Sequence, residues 1–387
     1  MVKLILSFIF FLSAMADAFA QKIATIPFEQ LYGGVILVKA KLSTRPDTLN
    51  FILDTGSSHI SLDSTATTLL NLPVTQTDNY VNGIGGKHKV KKTSGLDLMF
   101  PNLTVKNLNF YVNDYSVITE SSGVRIDGII GFAFFSKYIL AVNFDSSRID
   151  VYNPAPFKYP RKGYLWKFNL DYIPNTELQV TDARSTYANY YIDCGAGLSL
   201  LFAENFVNDS LFLKKNKKIF SSQIEGVGGK SVTKIAVVKL LKLGPYRFRN
   251  VPAYIYNDVA DVLRYPEHSG LIGNDILRRF NWIMNYGRSE MHLQPNSFAF
   301  DSFDYSYTGL SIYLVNNNIQ ITDIIPNSPG ELAKFKVGDV LLSIDNTIIT
   351  SVKQAKDLMQ NFTKVLKIIV IRDGVLTPIN LKVRSIL

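Results

Sequence analysis

An internal repeat constrains this chain more than any other feature. Phe51-Ile52-Leu53-Asp54-Thr55-Gly56-Ser57 has a counterpart 139 residues on, in Tyr190-Tyr191-Ile192-Asp193-Cys194-Gly195-Ala196. Gly83-Ile84-Gly85-Gly86-Lys87 is matched by Gly226-Val227-Gly228-Gly229-Lys230 at an offset of 143. Gly128-Ile129-Ile130-Gly131 is matched by Gly270-Leu271-Ile272-Gly273 at 142. Val142-Asn143-Phe144 with Ile149-Asp150-Val151 then corresponds to Met284-Asn285-Tyr286 with Met291-His292-Leu293, again 142 on. Any one pair can arise by chance. Four in the same order at nearly one offset describe two copies of one unit, over 21–160 and 161–300.

Within each unit the pattern predicts strands. Short β-branched and aromatic runs (Val35–Val38, Leu108–Val112, Ile235–Val238) are bounded by Gly, Pro, Asn and Asp. Helical signals are short and follow the apolar-apolar-Gly segments, over Ala133 to Leu140 and Asn274 to Phe280. The reading is an all-β unit with a small helix, used twice. With 387 residues and 47% hydrophobic content there is ample material for a core, which excludes a disordered or collagen-like chain.

The chemistry sits where the repeat places its aspartates. A carboxylate at the end of a buried apolar run is costly unless its oxygens are hydrogen-bonded. Gly56 and Gly195 allow a tight turn whose backbone N–H groups can face those oxygens. One such turn alone reads as a structural Asx-type turn. Two, at the same place in both copies, bring two acids to one pseudo-twofold axis.

Asp54-Thr55-Gly56-Ser57-Ser58, flanked by Ile52-Leu53, resembles the active-site turn of aspartic peptidases, and Asp193-Cys194-Gly195-Ala196 resembles its second copy. The Gly-rich tips at 83–86 and 226–229 resemble flaps. A flap-like tip in both halves is closer to the retroviral type than to pepsin. The resemblance covers about 21–300 and implies two retropepsin-like β-barrel lobes in one chain, with Asp54 and Asp193 as the catalytic pair. Two carboxylates about 3 Å apart cannot both ionise, so such a pair shares one proton and holds a water. The resemblance also implies that Gly85, Gly86, Gly228 and Gly229 line a cover over an extended peptide, and that Thr55, Gly56, Ser57, Cys194 and Gly195 support the turns.

This chain departs from the family at one position. The residue after each aspartate is there Thr or Ser, and the two hydroxyls brace the lobes. Thr55 conforms, whereas Cys194 supplies a thiol, a weak donor and acceptor. That substitution is expected to weaken one side of the brace by up to about 1 kcal/mol per bond. Ser57 is placed to bond the outer oxygen of Asp54, which Ala196 cannot do for Asp193. His59, two residues past the turn, reads as a packed or surface histidine.

After Pro295 the repeat ends, and Asn296 to Asp304 reads as a linker. Gly309-Leu310-Ser311-Ile312, Ile319-Gln320-Ile321, Ser328-Pro329-Gly330 and Gly338-Asp339-Val340-Leu341-Leu342-Ser343-Ile344-Asp345 follow. Val352, Ala355, Leu358, Met359 and Phe362 then recur at helical spacing, before strands at Val365–Ile371 and Ile379–Val383. This segment, 301–387, resembles a PDZ domain of the bacterial protease-associated kind, a small α+β unit. By that likeness Gly309, Leu310, Ser311 and Ile312 form the loop that captures a peptide C-terminus, while the peptide adds a strand. Domains that merely dock on their own protease share the same signature.

Lys3, the apolar run Leu4–Leu12 and Ala18-Phe19-Ala20 before Gln21 read as an export signal over 1–20, too short to span a bilayer. The mature protein is then expected to lie in a periplasm, a cell envelope or the medium. The one cysteine excludes internal disulfides and a Cys-based zinc cluster, and the four histidines show no metal-ligand spacing. No cofactor is implied. The net charge of +9 comes without an arginine-rich tract or aromatic-interleaved basic stripe, which argues against nucleic acid. The residues therefore point to an exported aspartic endopeptidase acting on peptides or proteins. The alternative is a catalytically weak homologue that binds envelope peptides, a reading that Cys194 motivates.

Overall fold

The computed structural model describes residues 19–43, 45–303, 308–360 and 365–384. All but the last two residues of the expected export signal lie outside them. No helix among the described residues is long and apolar enough to cross a membrane.

Each half is a β-barrel built around a short buried strand that ends at its aspartate. In the first half Leu49–Leu53 runs parallel to Gly128–Ile130, which pairs antiparallel with Ile60–Asp63. Ile60–Asp63 in turn runs parallel to Leu103–Asn113, the neighbour of the long strand Gly86–Phe100. Lys41↔Met99 and Leu42↔Leu98 join Ile36–Leu42 to that long strand and close the sheet on itself. The second half repeats the plan with Ser185–Ile192, Gly270–Ile272, Leu200–Ala203, Tyr246–Tyr256 and Gly229–Leu243. Gln179↔Lys242 and Val180↔Leu241 close its barrel. Gly128–Ile130, Gly270–Ile272 and Leu200–Ala203 are apolar and buried throughout because they are covered on both faces.

The halves meet in a six-stranded seam. Lys22–Gln30, Arg148–Tyr152 and Ile139–Asn143 come from the first half, and Phe280–Asn285, Glu290–Pro295 and Tyr164–Lys167 from the second. Across the middle, Val142 pairs with Trp282, Ala141 with Ile283 and Leu140 with Met284. Since 142 residues separate the copies, Ala141 is paired with its own equivalent, and the pseudo-twofold axis passes between them. One apolar core, with Phe51, Phe110, Phe134, Phe144, Phe202 and Trp282 fully buried, runs through both halves and the seam.

The helices after the apolar-apolar-Gly segments are shorter than predicted, Phe132–Phe135 and Asn274–Leu277. Leu140 and Phe280 belong instead to seam strands, where pairing across the axis outweighs local helical spacing. Ser116–Ser122 is a helix in the first half only. The matching stretch of the second, 258–264, is irregular.

The C-terminal sheet runs in the order Leu310–Val315, Asn318–Ile324, Val340–Ile344, Val365–Arg372, Val375–Lys382, with a separate core. Its helix is Val352–Met359, N-capped by Ser351 Oγ, which accepts from Gln354 N. Phe362, predicted to extend this helix, lies outside the described residues. The Gly338-Asp339 turn is fixed because the Asp339 carboxylate is buried, accepts from Lys336 N and takes two hydrogen bonds from the Arg372 guanidinium, both 2.7 Å.

Candidate active site

Asp54 and Asp193 leave their barrels in the same way. Asp54 N donates to Ile130 O (2.9 Å) and Asp193 N to Ile272 O (3.0 Å), so each apolar-apolar-Gly segment anchors the strand end that presents an acid. The turns then fold back on the carboxyls. Gly56 N donates to Asp54 Oδ1 at 2.7 Å, while Asp193 Oδ1 accepts from Gly195 N at 2.8 Å and from Ala196 N at 3.0 Å. Each carboxyl also lies against the glycine of the opposite turn. A Cβ on Gly56 would stand 2.6 Å from Asp193 Cγ, and one on Gly195 would stand 2.4 Å from Asp54 Cγ. The sequence repeat thus delivers two acids to one place.

Thr55 and Cys194 lock the turns together. Thr55 Oγ1 accepts from Cys194 N (2.9 Å) and donates to Ile192 O (2.7 Å). Cys194 Sγ accepts from Thr55 N (3.4 Å) and donates to Leu53 O (3.3 Å). The brace is complete on both sides, with the thiol making the same two links at sulfur distances. The expected weakening therefore lies in the strength of two bonds and not in their loss.

The surroundings separate the two acids. Both residues are half-buried and line the cleft. Burial drives the Asp54 carboxyl well above the ordinary carboxylate range, and the neighbouring Asp193 charge and the hydrogen bond to Asp193 push it further the same way. Burial also raises Asp193, against which the hydrogen bond from Asp54 and the amides of Gly195 and Ala196 favour its charged form. Such a pair carries one proton, shared between the two carboxyls. Behind it the Tyr286 ring stacks on Phe135, and burial together with Cys194 and both acids raises the phenol strongly.

Two hairpins cover the pair. Their tips interlock: Gly85 N donates to Val227 O at 3.0 Å, and a Cβ on Gly85 would meet Gly228 C at 2.1 Å. Tyr256 OH of the second half reaches Ile84 O of the first flap at 2.9 Å. Beneath lies a cavity of ≈ 430 Å³ that Asp54 and Asp193 line. Its roof is made by Gly83, Ile84, Gly226 and Val227 rather than by Gly85, Gly86, Gly228 and Gly229, which occupy the tips. Glycines mark where a hairpin turns; strand register decides which residues face inward. Gly309, Leu310, Ser311 and Ile312 line this same cavity.

Ser57 does not turn its hydroxyl to Asp54 as expected. Ser57 Oγ donates to His59 O at 3.1 Å, and its backbone amide supports the acid instead. His59 is exposed, with Nδ1 2.7 Å from Ser58 Oγ and its ring against Tyr111. Sequence reasoning missed Tyr254, Glu225 and Lys356, which also line the cavity. None belongs to a motif, and each reaches the cleft only through tertiary packing.

A family model described as aspartyl protease matches residues 38–134 and again 179–276, which together make up half of the chain. A PDZ domain model matches residues 320–372. No curated protein matches the chain.

Proposed function

The chain belongs to the aspartyl protease family, and on that premise we propose that it hydrolyses peptide bonds with a water held between Asp54 and Asp193. The observation that carries this reading is the close approach of each carboxyl to the opposite turn, which supports a shared role for the two acids. The ionised Asp193 takes a proton from the water as its oxygen attacks the scissile carbonyl. Asp54 keeps its proton until then and hydrogen-bonds to the carbonyl oxygen as negative charge develops there. Collapse of the tetrahedral species breaks the C–N bond, and the proton gained by Asp193 passes to the leaving amine. The interlocked flaps restrict solvent over this step.

Thr55, Gly56, Cys194 and Gly195 are positioning residues in this scheme. Cys194 is the one feature that would favour a silent homologue, and its thiol makes both brace contacts, so the enzyme reading is preferred. The leader pattern at the N-terminus supports a mature protein outside the cytoplasm, in a periplasm, an envelope or the medium. N-terminal sequencing of material from that compartment should begin at Gln21.

The test of the activity is hydrolysis of a peptide library at acidic and neutral pH, with and without pepstatin. Asp54→Asn and Asp193→Asn should each remove turnover. Undiminished cleavage in either variant would end the proposal.

A further inference from the structure

One stripe of the PDZ helix faces the first lobe. Val352, Lys356 and Gln360 recur every four residues and so share one side of the helix Val352–Met359 and its C-terminal cap. Val352 packs against Gly123, where a Cβ would come within 2.6 Å of Val352 Cγ2. Lys356 Nζ donates to Ser121 O (3.3 Å) and lies 4.8 Å from the Tyr32 ring centroid. Gln360 Nε2 donates to Tyr32 OH at 2.9 Å.

The residues gripped in this way belong to the wall of the cavity that holds the two acids. Leu31, Tyr32 and Val35 line it from one loop, and Ile118, Ser121 and Ser122 from the helix Ser116–Ser122. Loop and helix form one body, because Ile118 packs against the cluster that contains Leu31 and Val35. The second lobe fixes the base of the loop: Asn274 Nδ2 donates to Gly34 O, and a Cβ on Gly33 would stand 2.0 Å from Gly197 O. Tyr32 borders both the cavity and the PDZ helix.

These two elements are where the lobes differ. At the positions matching 31–35 the second half turns once, at Tyr172, between Asn169–Asp171 and Ile173–Thr181. At those matching 116–122 its chain is irregular, over 258–264. Neither first-lobe element is secure by itself. A helix of seven residues is marginal in water, and none of its residues is fully buried. Gly33 and Gly34, both at positive φ, lose much conformational freedom on folding. The contacts from the PDZ helix offset that cost.

We propose that the PDZ domain is a working part of the substrate cleft. Lys356 and Gln360 are positioning residues that hold Tyr32 and the helix Ser116–Ser122 in place. Tyr32 is a specificity-determining residue for substrate side chains that lie against the first lobe. This rests on the hydrolytic reading above and adds the third domain to it. A wall ordered before the peptide arrives spares the complex the cost of ordering it, so the effect falls on KM.

The test joins two readouts on the full-length protein, with thermal melts monitoring the fold. Backbone hydrogen exchange followed by mass spectrometry judges the positioning without any need of turnover. Lys356→Met should speed exchange in 31–35 and 116–122 by about tenfold, the size of one lost hydrogen bond to a charged group, and leave 196–201 at the second active-site turn unchanged. Lys356→Arg, which keeps a donor and a cation over the ring, should restore the wild-type rates. Kinetics on a quenched peptide judge the consequence. Lys356→Met and Gln360→Ala should each raise KM by about fivefold with kcat within about twofold. Gln360→Ala and Tyr32→Phe remove the two partners of one bond, so the double variant should be no worse than either single one. In digests of a peptide library, Tyr32→Ala should change residue preference on one side of the cut only. Unchanged exchange in Lys356→Met, additive effects of Gln360→Ala and Tyr32→Phe, or preferences altered equally on both sides would each overturn the inference. Faster turnover in Lys356→Met would also overturn it, by marking the seat as an inhibitory contact. Absence of cleavage by the wild-type protein would instead strike the hydrolytic reading, and the exchange rates would still judge the positioning.

Discussion

Gly195 stands so near Asp54 that a Cβ would lie 2.4 Å from the carboxyl carbon, and Gly56 repeats the relationship with Asp193 at 2.6 Å. Neither contact leaves space for a methyl group. Gly56→Ala and Gly195→Ala should therefore push the acids apart with both barrels intact. A displacement of about 1 Å at a reacting centre costs about 100-fold, which is the expected fall in kcat/KM. Peptide hydrolysis beside circular dichroism checks this, and wild-type turnover in either variant would contradict the close approach.

The raised Asp54 carboxyl fixes a pH dependence of stability. A group whose folded-state pKa lies above its unfolded value contributes fully below the unfolded value, and that contribution is lost as pH rises through the folded one. The melting temperature should fall as pH climbs from the ordinary value of 3.8 through the raised Asp54 value. Asp54→Asn carries no such proton, so it should flatten the curve and melt higher than wild type at neutral pH. Parallel Tm–pH curves for the two proteins would refute the assignment.

Activity should follow the same proton. Turnover needs one proton on the pair, so it declines at low pH when Asp193 is protonated and at high pH when Asp54 loses its proton. The upper limb of kcat/KM should lie well above the ordinary carboxylate range. An upper limb at ordinary carboxylate pH would mean that Asp54 is not shifted.

The Cys194 thiol is 1% exposed, and burial with the adjacent Asp54 raises it far beyond an ordinary thiol. It should resist iodoacetamide in the native protein and react once denatured. Cys194→Thr should replace two sulfur contacts by hydroxyl ones, raising stability by about 1 kcal/mol and changing kcat/KM by less than about threefold. A large gain in activity would mark the natural thiol as an impairment.

The Tyr256 hydroxyl tethers one lobe to the flap of the other through Ile84 O. Tyr256→Phe should loosen the cover by about 1 kcal/mol, seen as a KM raised by about fivefold with little change in kcat. An unchanged KM would show that closure does not depend on this bond.

Much of the architecture was legible because a repeat carries register as well as identity. The 142-residue offset that aligns Val142-Asn143-Phe144 with Met284-Asn285-Tyr286 is the one at which the seam pairs Ala141 with Ile283, and it also takes Lys22 to Tyr164 at the two outer seam strands. The paired acids were legible for the same reason. The helix Ser116–Ser122 was not, because its one short apolar pair, Val117-Ile118, finds its partners only in space, on a first-lobe cluster with Leu31, Val35 and Ile129 and beside the second flap and the PDZ strand and helix. Glu225 was not legible either, because it belongs to no motif and reaches the cavity only through tertiary packing. Leu140 and Phe280 had helical neighbours in sequence and strand neighbours in space, and space decided.

Ala141 and Ile283 fill the middle of the seam with one small and one large side chain on the same face. Two copies of the first half, associating with each other, would oppose methyl to methyl and leave that half-exposed face thinly covered. Two copies of the second would crowd a pair of branched side chains into the same place. The halves have thus become lock and key to one another, and a self-paired half would have to be refitted at its centre before it could stand in for the whole.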